Sequence, residues 1–190
     1  MNRKKAIYRI ALISGGLVGI VGGVKTYGLF KTPELKKLDS LQPLVDELAE
    51  AIIPASDTPG AKDAKVGAFV TLMLKECTGR KAQNNFIEGL DDLVFHCMNR
   101  YGKPFELCNT AQKEAALLHF ERKATISNRF ISKAKDYLLG QSFFTTLKKY
   151  TVLGYCTSNP GATKALRYDH IPGQYKGCIA LNNKAAWATQ

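Results

Sequence analysis

Between residues 41 and 155 the apolar positions recur at intervals of three and four, the period of a helix with one buried face. In LQPLVDELAEAIIP the stripe is Leu41, Leu44, Val45, Leu48, Ala49, Ile52 and Ile53. Pro54 ends it, because the residue before a proline is biased away from helix. ASDTPGAKD is a loop by its Ser, Asp, Pro and Gly content. AKVGAFVTLMLKECTG turns Val66, Phe69, Val70, Met73 and Leu74 inward, with Gly79 as its stop. NNFIEGLDDLVFHCMNRYGKPF repeats the pattern through Phe86, Leu90, Leu93, Val94 and Cys97, closed by Gly102 and Pro104. Asn109 and Gln112 have capping-box spacing ahead of AALLHFERKA. FFTTLKKYTVLGY carries Phe143, Phe144, Leu147, Tyr150 and Leu153 toward the core. No segment sustains the period of two that marks a strand. The pattern predicts an all-α protein, an irregular bundle of about five helices over 41–155. Residues 32–40 read as a linker and 156–190 as an extended, irregular C-terminal arm.

Ahead of the bundle the pattern changes. MNRKK is followed by an uncharged run from Ile10 to Val24 that holds Gly15, Gly16, Gly19, Gly22 and Gly23. Five glycines would each cost about 1 kcal/mol relative to alanine inside a helix, which argues against a core helix. A basic start and a short apolar run form the pattern of an export signal. Residues 1–31 therefore read as an export signal or an N-terminal membrane anchor, and the expected location is the periplasm. The segment resembles a twin-arginine signal in which Arg3-Lys4-Lys5 stands where an arginine pair is expected.

Charge adds little to this. The net charge is +11, but residues 1–31 hold six bases and no acid. In the remainder, 21 bases face 16 acids, a surplus of +5. No arginine stripe or RNA-binding motif accompanies it, so a solvated lysine-rich surface is expected and nucleic acid is not an expected partner. A basic helical module for polyanions stays as an alternative.

Candidate chemistry is sparse. Adjacent helical residues point about 100° apart, so His96 and Cys97 make a poor ligand pair. His119, among Leu117, Leu118 and Phe120, reads as a semi-buried histidine. No metal site, nucleotide loop or haem motif is expected. A stand-alone thiol enzyme pairing Cys156 or Cys178 with His170 is the alternative from another class. After export, the five cysteines would meet an oxidising compartment. Cys97 with Cys108 and Cys156 with Cys178 are then plausible disulfides, with one thiol left over.

Three blocks carry a family likeness: AEAIIPASDTPGAKDAKVGAFV, then FIEGLDDL with YGKPF, then FFTTLKKYTVLGYCTSNPGATKALRYDHIPGQYKGC. Together they resemble the gluconate 2-dehydrogenase subunit 3 family over roughly residues 41–180. The resemblance implies a non-catalytic small subunit with no cofactor of its own. Its partner would be a large FAD-dependent dehydrogenase of the glucose–methanol–choline type acting on a sugar or sugar acid. A multihaem c-type cytochrome often completes such assemblies. The small subunit supports maturation of the flavoprotein and, through its signal, its export. In that light Tyr155, Arg167, Tyr168 and Tyr175 of the arm are expected partner contacts, being residue types enriched at interface hot spots. Asp57 and Pro59 of DTPGA are a second candidate contact, the alternative being a plain turn between helices.

Overall fold

Proline, glycine and capping residues cut the chain into helices close to where the pattern places them. The protein is described by a computed structural model over residues 31–125, 136–167 and 178. Six α-helices are present among them: α1 Lys36–Ser40, α2 Gln42–Ile52, α3 Val66–Glu76, α4 Arg80–Tyr101, α5 Thr110–Ala124 and α6 Phe143–Thr157. A 3-10 turn spans Phe105–Leu107 and a π turn Gly161–Ala165, and residues 136–139 are also helical. No strand occurs among the described residues. The fold is all-α. The predicted boundaries hold where local chemistry is strong. The Asn109 side chain accepts from Gln112 N at 2.8 Å while the Gln112 side chain accepts from Asn109 N at 3.1 Å, a complete capping box. Gly102 closes α4 with a φ of 67°, the left-handed cap that glycine favours.

Helix α6 is the axis of the bundle. It packs against α2, α3, α4, α5 and the π turn. Phe143, Phe144, Leu147, Tyr150 and Tyr155 line its inner face, against Leu48, Val70, Leu74, Phe86, Leu90 and Leu93 from the surrounding helices. Phe143 meets Phe86 edge-on at 5.1 Å and Phe120 at 5.7 Å, geometry that aromatic pairs prefer. Gly89 makes room for that ring, since a Cβ there would collide with Phe143.

Four expectations are corrected. Residues 32–40 do not form a bare linker: α1 folds within them and seats Leu38, 1% exposed, in the core. A single apolar residue in a five-residue helix leaves no period to read. Gly79 begins α4 as its N-cap rather than stopping α3, which ends at Glu76. Leu153 points outward, 40% exposed, because α6 turns Thr146, Thr151 and Gly154 to the core instead. The predicted start of the irregular arm also moves. Helix α6 continues to Thr157, and the chain then folds back so that Gly161 is buried and Ala165 packs on the core.

Candidate partner-docking surface

The loop between α2 and α3 is rich in Pro, Ser, Asp and Gly, residues that favour turns over helix. Its shape comes from acids placed to receive its free amides. The Glu50 carboxylate accepts from Ala55 N at 2.9 Å and from Lys62 N at 2.8 Å, gripping both ends of the loop. Asp63 accepts from Gly60 N at 3.2 Å, and Ala61 N donates to Ile53 O at 3.0 Å. Gly60 is required by this closeness: a Cβ would strike the Glu50 carboxylate and Ala55 N. Charge-assisted bonds to backbone amides are among the stronger ones. The result is a closed loop with Asp57 exposed at its turn.

The far end of α6 reaches this loop. The Phe69 ring of α3 lies against Gly154 of α6, and the next residue, Tyr155, donates its hydroxyl to Pro59 O at 2.6 Å. Beyond Tyr155 the chain is tied down again. The Ser158 hydroxyl donates to Tyr155 O at 2.7 Å and accepts from Gly161 N at 3.0 Å, and Leu166 N donates to Gly161 O at 2.9 Å. Arg167, exposed, follows directly. The DTPGA loop and the start of the arm, two separate candidates in the sequence, thus share one end of the bundle. Exposed Val152 and Leu153 on α6 and Leu72 on α3 flank the Phe69–Gly154 crossing along their helices.

Comparison with known proteins decides the family. The family model described as gluconate 2-dehydrogenase subunit 3 matches residues 40–173. The chain belongs to the gluconate 2-dehydrogenase subunit 3 family. No curated protein and no solved structure matches it. Membership marks the chain as a subunit of a dehydrogenase complex of the gluconate 2-dehydrogenase type, which implies association with the larger subunits.

The expected contacts of this family member divide three ways. Asp57 and Arg167 are exposed, as a contact needs, and Pro59 is half-buried with its carbonyl engaged. Tyr155 is corrected: at 6% exposure, with its hydroxyl bound to Pro59, it is an internal brace and not a surface anchor. Alternation around a helix does not reveal this, because a buried tyrosine needs a polar partner that only the fold supplies. Tyr168 and Tyr175 lie outside the described residues, as do the run from Ile10 to Val24 and His170. Among the described residues no helix is long and apolar enough to cross a membrane.

A second feature escaped the pattern. His96 of α4 and His119 of α5 stack with ring centroids 4.6 Å apart in a cleft of about 460 Å³, lined also by Phe95, Asn99, Arg100 and Lys123. His119 is exposed and not semi-buried as expected. Burial, His119 and Arg100 together hold His96 below the ordinary imidazole value. No group of three or more metal-ligating side chains occurs among the described residues. Cys97, beside His96 in sequence, is no activated nucleophile: burial first, then Cys108 and Glu106, push its thiol up to about 11. Among the described residues several lysines pair with acids, including Lys37 with Asp91, Lys113 with Glu47 and Lys148 with Glu121. That pattern fits a solvated surface better than a polyanion stripe.

Proposed function

We propose that this chain is a non-catalytic small subunit that docks onto, stabilises and matures an FAD-dependent dehydrogenase of the glucose–methanol–choline type. The flavin and the substrate site belong to that larger chain, which oxidises a sugar or sugar acid; a c-type cytochrome accepts its electrons. Residues 1–31 direct the chain to the periplasm or hold it at the membrane, and escort the flavoprotein with it. The observation that supports the reading is the Tyr155–Pro59 bond, which brings the DTPGA loop and the start of the arm to one end of a family member. There the backbone is immobilised by Glu50, Tyr155 and Ser158. A docking surface gains affinity from order imposed before binding, since less freedom is lost on contact. Exposed aliphatics at Leu72, Val152 and Leu153 supply apolar area to bury.

Deletion of this chain from its native cell tests the reading. The partner flavoprotein should then fall sharply in abundance, with loss of flavin-dependent dye reduction in the envelope fraction, and the full-length chain should restore both. Unchanged flavoprotein level and activity would contradict it.

A further inference from the structure

Cys97 and Cys108 lie 11 positions apart, on either side of the elbow that joins α4 to α5. Cys97 occupies the last turn of α4, and Cys108 follows the Phe105–Leu107 turn and immediately precedes the Asn109 cap of α5. Both side chains are in the core, 0% and 6% exposed. The Cys108 thiol donates to Pro104 O at 3.5 Å, and Cys108 stands near enough to the Cys97 thiol to help push it up. The remaining cysteines are placed differently: Cys77 and Cys178 are exposed and Cys156 is half-buried.

We propose that Cys97 and Cys108 are a disulfide modification site, a staple across the α4–α5 elbow that is set while the chain folds, before the core closes over it. In the structure both are thiols. Setting the staple breaks two S–H bonds and forms one S–S bond. The two electrons and two protons pass to a thiol–disulfide oxidant, whose own S–S bond breaks to give two thiols. The order of events follows from reactivity. Exchange requires a thiolate and access to it. In the folded chain Cys97 is buried and its thiol is held at about 11, so neither condition is met. In the unfolded chain both cysteines are exposed and ordinary. This inference does not rest on the docking reading, since it concerns only the chain's own elbow.

The experiment is disulfide mapping of the full-length chain. One sample is unfolded in urea and refolded in a mixture of oxidised and reduced glutathione. A second, folded and reduced, is placed in the same mixture without urea. Both are then blocked with a maleimide in denaturant and cut with trypsin, which cleaves after Arg100 and so separates the two cysteines. In the refolded sample, the 82–100 peptide should be recovered joined to the 101–113 peptide until reduced. In the folded sample, that link should form about 10-fold more slowly or worse, the balance between a scarcer thiolate and its higher nucleophilicity. Cys108→Ser should remove the link without giving Cys97 another partner; the wild-type map decides the question even if that variant fails to fold. Recovery of Cys97 and Cys108 as blocked thiols after refolding, or joined to Cys77, Cys156 or Cys178, would overturn the site. Equal rates in the two samples would overturn its timing.

Discussion

The Tyr155 hydroxyl donates to the Pro59 carbonyl at 2.6 Å across 96 positions of sequence. This one bond holds the α2–α3 loop against the end of α6, and it turns two remote sequence motifs into one surface. Tyr155→Phe keeps the ring and leaves the carbonyl without its donor. It should lower stability by about 1–2 kcal/mol. Amide exchange at Ala55 and Lys62, whose N–H groups are held by Glu50, should quicken. Urea titration and hydrogen exchange read the two effects separately; unchanged exchange in the loop would remove Tyr155 from the role of brace.

Gly60→Ala tests the other side of the same loop. Its new methyl would meet the Glu50 carboxylate and the Ala55 amide, so one of the two must move. Overpacking of this kind costs about 1–3 kcal/mol. The urea midpoint should fall accordingly, and the loop's amide protection should fall with it. An alanine tolerated at no cost would mean the loop is looser than the Glu50 contacts indicate.

Helix content was legible because long periodic stripes such as Phe86–Leu90–Leu93–Cys97 leave no other period to choose. All four of those side chains are fully buried. The polar braces were not legible. Glu50 reads as a solvated position on α2, and nothing in its neighbours tells that it grips Ala55 and Lys62. The inward Thr146 and Thr151 failed for a related reason. Their hydroxyls find no hydrogen-bond partner among the described residues, so their burial serves close helix packing that hydropathy does not register. His96 and His119 are 23 positions apart and on different helices, so only the packing of α4 on α5 could bring their rings together.

Stability should fall on mild acidification through the His96–His119 stack. His96 is held below its ordinary value in the folded chain, so as pH falls past about 6.5 the unfolded chain binds the proton first. The folded state therefore loses stability from that pH down to the lowered value, and no further below it. Charges facing His96 are Asp92 and Arg100 on its own helix and His119 and Lys123 from α5. His119→Gln removes one of the depressing neighbours and should flatten the slope of urea midpoint against pH between 7 and 5. An identical slope in the variant would detach the stack from this behaviour.

The central claim is that the Asp57–Arg167 end of the bundle captures a flavoprotein. The direct measurement is affinity purification of the tagged full-length chain from its native envelope fraction, with visible flavin absorbance and protein stoichiometry read on the eluate. The wild type should bring down a flavin-bearing chain in about equal amount. Asp57→Lys combined with Arg167→Glu, shown by circular dichroism to keep its helices, should retain less than about a tenth of it, a loss of at least 1.4 kcal/mol. A wild-type eluate that is monomeric and free of flavin, or a double variant that captures as much as the wild type, would contradict the account.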